Sequence, residues 1–348
     1  MKFLLVADLH LGYRQYGMER REQDFYDALE QVAKLAIDNC VDVVVAGDLF
    51  DTTKPPAKAV LRMQMFVERL KNHGLNVYGV EGNHDITKDN YWLRVCGVVP
   101  LDGGVVDIRG AKFTGFNYGK GEDILPRIKE LGKVDVVVTH AGFVEMQGDF
   151  ASEFSTEEFS QALAHTGCKV VANGHIHMWG NVQSGGVTFV QPGSLEVKAL
   201  DEPHFKQAAL VSLEDGKVDV TRLQYPTRKF VIKQIDSEEQ FQLWLNGLDE
   251  LVGTMLILYV NRDIEDASDR FLKALGDREI LWRFIPTEGK VEMEERKTVS
   301  SLAEAIEAYF EPGSPEYVLI TRCLQTPANA SNIALDYIND KEEEKEVA

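Results

Sequence analysis

The stretch Gly82-Asn83-His84-Asp85 is where the fold prediction for this chain begins. It follows the apolar run 75–80, so three polar side chains come together where a predicted strand opens into a loop. Asn, His and Asp offer an amide oxygen, an imidazole and a carboxylate to one small site. A single tetrapeptide of this kind is more often an ordinary polar turn. Its meaning therefore depends on the rest of the chain.

Four other predicted strands end in the same way, with polar residues directly after an apolar run. These segments are Asp8-Leu9-His10, Gly47-Asp48, Thr139-His140 and Gly174-His175-Ile176-His177. Together with the stretch 82–85, these segments contain five of the eight histidines of the chain. In an open α/β sheet, sites are built at the edge formed by the carboxyl ends of the strands. We therefore expect these side chains to form one site.

The residue types in this set predict a centre of two divalent metal ions. Asp-x-His and His-x-His on extended backbone place both side chains on the same side. Imidazole and carboxylate together suit Mn, Fe or Zn, and the absence of cysteine from the set disfavours a structural zinc site. There are too many ligands for one ion, and two neighbouring ions need a shared carboxylate. Asp48 stands alone in its segment, as a bridging residue would.

Alternating Val-rich runs and helical periodicity predict an α/β fold. Near-continuous apolar strands, such as 41–46 and 134–138, are typical of a sheet covered by helices on both faces. Two late strands, 207–213 and 217–224, are joined by the hairpin signal Asp215-Gly216. They favour a mixed sheet or a two-sheet sandwich over a purely parallel sheet.

The pattern of the chain changes after Tyr225-Pro226-Thr227. Residues 229–286 alternate strand and helix as a βαβαβ unit whose strand ends carry no His or Asp cluster, which indicates a capping or binding module. Two apolar stripes at helical spacing follow a charged linker. The predicted domains are thus residues 1–226 (catalytic), 227–290 (capping) and 291–348 (linker and C-terminal helices).

Charge and composition narrow the function classes. The net charge of −19 argues against tight nucleic-acid binding by this chain alone, although metal ions or a partner could supply positive charge. The apolar fraction of 44% is that of an ordinary soluble protein, and no apolar run approaches the ~20 residues of a membrane span. The N-terminal apolar run stops at Asp8, too early for a signal peptide, so we expect a cytosolic protein. The four cysteines are expected to be buried free thiols.

Taken together, these motifs resemble the ordered motifs of the calcineurin-like metallophosphoesterases. Gln191-Pro192-Gly193-Ser194 resembles a further characteristic turn of that superfamily. The longer stretches 7–12 and 47–51 resemble SbcD, the nuclease subunit of SbcC–SbcD, and its relatives in the meiotic-recombination nuclease family and in large phages. The motifs cover residues 1–195. The resemblance implies a calcineurin-like two-sheet sandwich flanked by helices, with a small α/β capping domain and C-terminal helices.

The resemblance also implies a role for each motif residue. The ligands of metal one would be Asp8, His10, Asp48 and His177, and those of metal two would be Asp48, Asn83, His140 and His175. His84 matches the catalytic histidine of the family, which is not a ligand, and Asp85 would orient it. Mn²⁺ is the usual ion of the family, with Mg²⁺ as the alternative.

The activity implied is that of a DNA repair and recombination nuclease: a 3′→5′ exonuclease on duplex ends and an endonuclease on single strands. Family members work as homodimers bound to an SMC-type ATPase with a long coiled coil, of the SbcC kind. The two C-terminal stripes fit helices that bind this ATPase, or they pack on the chain's own domains. The short chain is typical of a phage version, which would act in the host cytoplasm or nucleoid.

One departure and two alternatives accompany this interpretation. Asp51 stands where many family members have a His that touches the DNA backbone. The first alternative is another calcineurin-like phosphoesterase, acting on phosphoproteins, cyclic nucleotides or lipid-sugar nucleotides. The second is a binding scaffold that has lost catalysis. Asn117, Tyr118 and Glu145 either line the cleft or belong to solvated loops, whereas His73, His165 and His204 are expected to be structural or exposed.

Overall fold

The computed structural model describes residues 1–147, 152–200, 202 and 205–287. The strands of this part are β1 (Lys2–Val6), β2 (Asp42–Ala46), β3 (Val77–Val80), β4 (Val99–Pro100), β5 (Val106–Ile108), β6 (Ala111–Phe116), β7 (Val136–His140), β8 (Val170–Gly174), β9 (Gly180–Ser184), β10 (Val187–Gln191), β11 (Phe205–Glu214), β12 (Lys217–Pro226), β13 (Phe230–Ile235), β14 (Met255–Asn261) and β15 (Leu281–Thr287). Its α-helices are α1 (Glu19–Asn39), α2 (Ala57–Lys71), α3 (Tyr91–Cys96), α4 (Gly121–Lys129), α5 (Val144–Gln147), α6 (Thr156–Leu163), α7 (Glu238–Leu245) and α8 (Ala267–Leu275).

Two mixed six-stranded sheets form the main body. The first has the order β12-β11-β1-β2-β3-β4, in which β1 to β4 are parallel and the hairpin β11–β12 is antiparallel. The second has the order β5-β6-β7-β8-β10-β9, with a parallel centre and antiparallel edges. The predicted two-sheet sandwich of a mixed α/β fold is therefore confirmed.

The core follows from the two-residue period of the strands. In β1, Phe3 and Leu5 pack between the two sheets, whereas Leu4 and Val6 belong to the cluster that α1 and α2 cover. A third cluster lies on the outer side of the second sheet and includes residues of α4 and α6. Both faces of each sheet are thereby buried, which explains why the central strands read as near-continuous apolar runs.

The βαβαβ unit forms a separate three-stranded parallel sheet, β13-β14-β15, as predicted. One face has its own core with α7 and α8. The other face contacts the main body, where Phe230 and Ile257 pack against Val197. Arg228 adds a two-pronged ion pair to Asp24 of α1, with N–O distances of 2.6 and 2.7 Å. The domain boundaries at residues 226 and 290 stay predictions.

Several details differ from the expectations. The first helix of the predicted βαβαβ unit ends at Leu245, and a separate helical turn, Leu248–Leu251, follows Asn246-Gly247. The elements α3 and β4 carry too few residues for a periodic signal, and β9 has no apolar run. Cys96 and Cys168 are buried free thiols, but Cys40 is exposed, which corrects the expectation for that residue. The predicted C-terminal helices and Cys323 lie outside the described residues. Within the described part of the chain, no helix is long and apolar enough to cross a membrane.

Candidate metal centre

The five predicted strand ends meet at one place in the structure. Strands β1, β2 and β3 of the first sheet end next to β7 and β8 of the second, because the two sheets pack face to face with these ends on the same side. The side chains brought together are Asp8, His10, Asp48, Asn83, His84, His140, His175 and His177. Sequence patterns located every one of these residues.

The backbone at these strand ends is tightly bent. Asp8, His10, Asp48 and His175 all have positive φ angles (52°, 43°, 52° and 87°), a region that non-glycine residues seldom adopt. Strain of this kind gathers where a fold must aim side chains at a site. Space is equally limited, since a Cβ atom on Gly47 would lie 2.2 Å from His140 Nδ1. The glycine before Asp48 is thus required for the approach of β2 to β7.

Half-site one, as we call Asp8, His10, Asp48 and His177, brings two imidazoles and two carboxylates together. His10 Nε2 lies 3.1 Å from His177 Nε2. Asp8 Oδ1 is 3.8 Å from His177 Nε2, and Asp48 Oδ2 is 3.6 Å from His10 Nε2. Asp8 is fixed in turn, because its carboxylate accepts the backbone N–H of His175 at 3.1 Å.

Half-site two consists of Asp48, Asn83, His140 and His175. Asn83 Oδ1 lies 3.0 Å from His140 Nε2 and 3.1 Å from His175 Nδ1. Asp48 Oδ2 lies 3.5 Å from His140 Nε2. The same carboxylate oxygen therefore faces both half-sites, which is the geometry expected of a bridging ligand.

The donor atoms fit divalent metal ions. Ligand atoms bound to one ion at about 2.1 Å lie roughly 3.0–3.4 Å from one another, and the donor pairs of the two half-sites lie 3.0–3.8 Å apart. Oxygen and imidazole nitrogen are the donor types, and no thiol takes part. Three groups of His and Asp donors, each within 4.8 Å, are compatible with an ion: Asp8, His10 and His177; His10, Asp48 and His84; and Asp8, Asp48 and His140.

The charge states of these groups follow from burial and from the neighbouring charges. Burial lowers the pKa of His10 to about 4, and burial together with the charge of His140 lowers the pKa of His175 to about 4. Both rings are therefore neutral at pH 7, as ligands must be. Burial also acts to lower the pKa of His140, but the charges of Asp48 and Asp8 outweigh it and raise this pKa to about 9. The proton on His140 thus balances part of the negative charge.

His84 is adjacent to half-site one but is held differently. Its ring meets that of His10 edge to face, with the centroids 4.8 Å apart. Its Nδ1 lies 3.0 Å from the backbone carbonyl oxygen of Asp51 and donates to it, so Nε2 is the ring nitrogen that this hydrogen bond does not use. Its backbone N–H donates to Asp48 Oδ1 at 2.9 Å. The loop that carries His84 is thereby tied to the shared carboxylate.

Asp85, predicted to orient His84, contacts the backbone of the loop that carries it. Its carboxylate accepts the backbone N–H groups of Gly82 and Phe50 at 2.9 and 3.0 Å. Asp85 therefore fixes the loop 82–85 against the segment after β2. Burial, reinforced by the charge of Asp48, raises the pKa of Asp85 to about 7. Its catalytic role stays a prediction.

Three charged residues around half-site one were missed or given another role by the sequence patterns. Asp51, expected at a position that touches DNA, has Oδ1 3.3 Å from His10 Nδ1 and 3.0 Å from Lys198 Nζ. Lys198 Nζ also lies 3.1 Å from His10 Nδ1. Glu202 Oε1 lies 2.8 Å from His177 Nδ1. Lys198 and Glu202 follow the turn 191–194, in a stretch with no periodic signal that could have singled them out.

Of the three residues predicted either to line the cleft or to belong to loops, only Tyr118 lies beside a half-site. The ring of Tyr118 lies 5.7 Å from that of His175, so it borders half-site two. Asn117 accepts the backbone N–H of Glu81, and Glu145 accepts that of Thr156, so both fix loops. His73 and His165 hydrogen-bond to backbone oxygens at exposed positions, as expected. His204 lies outside the described residues.

Among curated proteins, the chain is similar to the DNA double-strand break repair protein Mre11 of Methanosarcina mazei (28% identity over 286 residues; 76% of this chain and 45% of the relative). The protein of the same name from Methanosarcina acetivorans is 28% identical over 298 residues, covering 78% of this chain and 47% of the relative. That from Methanocaldococcus jannaschii is 42% identical over 90 residues, covering 25% and 24%. The chain thus spans about half the length of the first two relatives.

Solved structures with some likeness include Vps29 complexed with Zn²⁺ from Entamoeba histolytica, at 16% identity and a TM-score of 0.34, covering 64% of this chain and 99% of that one. Vacuolar protein sorting 29 from Cryptosporidium parvum has 20% identity and a TM-score of 0.30, covering 65% and 98%.

The resemblance stated from the motifs is confirmed at family level. The similarity to the archaeal Mre11 proteins agrees with the predicted likeness to the meiotic-recombination nucleases. The family model for calcineurin-like phosphoesterase matches residues 1–179, just over half of the chain. Members of that family are dinuclear metal enzymes, and the described residues include donor groups suited to metal ions. The chain belongs to the calcineurin-like phosphoesterase family.

Proposed function

We propose that this chain is the nuclease subunit of a DNA repair or recombination complex and hydrolyses DNA phosphodiester bonds with two metal ions. The observation that carries the proposal is the convergence of both half-sites on Asp48 Oδ2, with His84 beside them. The similarity to archaeal DNA double-strand break repair proteins over about three quarters of the chain supports DNA as the substrate.

Half-site one and half-site two would each hold one ion, with Asp48 shared and Mn²⁺ as the ion we expect. When bound, such a pair activates a water molecule and stabilises the charge that develops at phosphorus. The neutral rings of His10 and His175 are ready to act as donors. The 2.9 Å hydrogen bond from the His84 backbone N–H keeps the Asp48 carboxylate oriented between the half-sites.

His84 would assist the leaving 3′ or 5′ oxygen. Its Nδ1–H is taken by the Asp51 carbonyl oxygen, so the proton for the leaving oxygen has to come from Nε2. His84 would therefore act in its doubly protonated form, in which Nε2–H donates to the leaving oxygen and the ring is left neutral with its proton on Nδ1. Asp85 contributes by fixing the loop from which His84 projects. General acid catalysis of this type accounts for roughly 10²–10⁴-fold in rate.

The proposed activity is 3′→5′ exonuclease action on duplex ends and endonuclease action on single strands. The net charge of −19 favours a division of labour in which a partner provides much of the DNA binding. We propose an SbcC-like SMC-type ATPase as this partner and a homodimer of the present chain. The proposed attachment through residues 291–348 lies outside the described residues.

A second candidate is a phosphoesterase of the same family that acts on a substrate other than DNA. The fold and the half-sites accommodate it equally well, because neither selects the leaving group. The capping sheet and the likeness to DNA repair proteins favour the nuclease. A scaffold without catalysis is disfavoured, since all the expected donor side chains are present and converge.

The test is cleavage of linear duplex DNA and single-stranded DNA with Mn²⁺, at low and moderate salt, by the wild type and His84→Ser. The exposed His73, at the end of α2, provides the matched control His73→Ser. We expect cleavage by the wild type and by His73→Ser, and a loss of about 10²-fold or more in His84→Ser. Calorimetric metal titration of the same proteins should give two ions in all three.

The outcomes separate the candidates. Loss of an ion in His84→Ser would contradict the non-ligand role of His84. A wild type that binds two ions but leaves DNA intact is tested again with the ATPase partner. If DNA is still not cleaved with the partner present, while a small phosphodiester is hydrolysed, the result would favour the second candidate, a phosphoesterase with a substrate other than DNA.

A further inference from the structure

Glu202 lies outside every motif, yet its carboxylate contacts His177, a proposed metal ligand. Its side chain is buried, and Oε1 is 2.8 Å from His177 Nδ1. At this distance the ring N–H donates to the carboxylate. The contact leaves His177 Nε2 free of a proton on the side that faces half-site one.

The Glu202 carboxylate is itself held from several directions. The backbone N–H of Ala199 donates to Oε1 at 3.1 Å, and that of Lys198 donates to Oε2 at 3.1 Å. The Lys206 ammonium lies 2.5 Å from Oε2, and the Ser194 hydroxyl lies 2.9 Å from it. Lys206 is also buried, so each charge of the pair neutralises the other in the interior. The carboxylate has no freedom to turn away from His177.

The hydrogen bond to Glu202 selects one of the two neutral forms of His177. A proton on Nδ1, shared with a carboxylate, makes Nε2 the lone-pair nitrogen and a stronger electron donor. Nε2 is the atom that lies 3.1 Å from His10 Nε2 and 3.8 Å from Asp8 Oδ1. The tautomer, the ring orientation and the donor strength of His177 thus depend on the Glu202 carboxylate.

We propose that Glu202 is a positioning residue for half-site one, which fixes His177 as an Nε2 ligand, and that Ser194 and Lys206 hold it in place. The inference rests on the proposed function only in taking His177 as a metal ligand. It also gives a physical purpose to the turn 191–194, because the serine that ends this turn contacts Glu202.

The competing explanation is that Glu202 serves only to neutralise the buried Lys206. The two explanations differ in what happens to His177. Glu202→Gln keeps the size of the side chain but replaces one acceptor oxygen with an NH₂ group. The amide donor turned toward Nδ1 would favour the other tautomer, with the proton on Nε2.

The matched control is Glu196→Gln. Glu196 is a second buried glutamate of the same segment, and its Oε1 accepts from the Val197 N–H at 2.9 Å and faces Arg21 instead of a histidine. A general effect of removing a buried carboxylate from this segment would appear in both variants. An effect through His177 would appear in Glu202→Gln alone.

The first readout is the tautomer of His177 in metal-free protein, measured by NMR with ¹⁵N-labelled histidine and assigned with His177→Asn. We expect the Nδ1–H form in the wild type and in Glu196→Gln, and a gain of the Nε2–H form in Glu202→Gln. The second readout is calorimetric titration with Mn²⁺. We expect one of the two ions to bind about 10–100-fold more weakly in Glu202→Gln and the other to be unchanged.

Folding is controlled by a second pair of variants. Because Glu202→Gln leaves the Lys206 charge buried without its partner, the double variant Glu202→Gln/Lys206→Met is compared with Lys206→Met. The proposal predicts that the tautomer and the Mn²⁺ affinity change in the double variant and not in Lys206→Met. Equal behaviour of these two proteins, or an unchanged His177 tautomer in a folded Glu202→Gln, would overturn it. A wild type that binds fewer than two ions would instead count against the proposed function, and the metal-free tautomer would still decide the role of Glu202.

Discussion

Half-site one and half-site two share Asp48 but support their histidines differently. In half-site one, His177 Nδ1 donates to the Glu202 carboxylate at 2.8 Å. His10 Nδ1 lies 3.3 Å from the Asp51 carboxylate and 3.1 Å from Lys198 Nζ. In half-site two, His140 Nδ1 donates to the backbone carbonyl oxygen of Ala46 at 2.8 Å.

The difference predicts unequal affinities of the two half-sites. A carboxylate partner makes an imidazole a stronger donor than a neutral carbonyl oxygen does. Half-site one also includes the carboxylates of Asp8 and Asp48, whereas half-site two has only that of Asp48 and completes its set with the Asn83 amide. We therefore expect the ion in half-site one to bind more tightly and the ion in half-site two to exchange more readily.

The largest expected effect is that of Asp48→Asn, because this change reaches both half-sites. The amide keeps an oxygen that can accept the His84 N–H, but the shared negative charge is lost. We expect weaker binding of both ions and a loss of activity of about 10³-fold or more, as expected when water activation by a metal pair fails. Calorimetry with Mn²⁺ and a phosphodiesterase assay measure the two effects.

The exposed Asp219 of β12 provides the control, Asp219→Asn, for which no change in either measurement is expected. If Asp48→Asn weakened only one ion, the bridging position of Asp48 would be wrong. The two ions would then bind at independent sites, with Asp48 as a ligand of only one of them.

A smaller effect distinguishes the half-sites from each other. His175 and His177 lie on the same segment after β8, one in each half-site, so His175→Asn and His177→Asn form a matched pair. We expect His177→Asn to remove the tighter phase of a two-ion titration and His175→Asn to remove the weaker phase. The two phases should differ by about tenfold or more in dissociation constant.

Reversal of this order, with the tighter phase lost in His175→Asn, would show that the carboxylate partners do not set the affinities. Equal losses in both variants would mean that the ions bind only as a pair. Either result is read directly from the titration curves, without reference to catalysis.

The members of both half-sites could be predicted from the sequence, whereas their supports could not. Asp8, His10, Asp48, His140 and His175 stand at the ends of apolar strands, and within each sheet parallel strands bring such ends to one edge. The two edges meet because the sheets pack face to face. Glu202 and Asp51 reach their histidines across long sequence separations, through loops without a periodic signal. Their partners depend on how those loops pack, which no local pattern encodes.

The elements of the fold likewise differ in how far the sequence predicts them. Central strands such as β1 were predictable from their near-continuous apolar runs, and long helices such as α1 from 3.6-residue periodicity. Two-residue strand β4 and the interruption at Asn246-Gly247 are set by tertiary packing. The contact between Asp85 and the Phe50 backbone, likewise, follows from the approach of two loops and not from the sequence around either residue.

The smallest predicted effect concerns the stability contributed by Glu196, a buried residue that contacts Arg21 and neither half-site. Burial raises the pKa of Glu196 to about 7, against the lowering influence of Arg21. Glu202 lies in the same segment but faces half-site one. Burial acts to raise its pKa, but the hydrogen bond from His177 and the charge of Lys206 outweigh burial and lower the pKa to about 2. One carboxylate is thus held neutral at mildly acidic pH and the other is held ionised.

The raised pKa of Glu196 fixes the sign of its effect. Between the unfolded value of about 4.5 and the folded value of about 7, the folded state holds a proton that the unfolded state has lost. Its stabilising contribution is therefore complete below about pH 4.5 and is lost as the pH rises through 7. Glu196→Gln lacks this pH dependence. Between pH 5 and pH 8 the free energy of unfolding of the wild type should therefore fall by about 2–3 kcal/mol relative to that of Glu196→Gln.

Urea unfolding at several pH values from 5 to 8 measures this difference, and the loss of the Arg21 contact adds an offset that does not vary with pH. Because Glu196 touches neither half-site, the Mn²⁺ titration of Glu196→Gln should match that of the wild type throughout. A constant stability difference across the pH range would mean that Glu196 is ionised in the folded protein. In that case Arg21 outweighs burial, and the two glutamates of the segment are held in the same charge state.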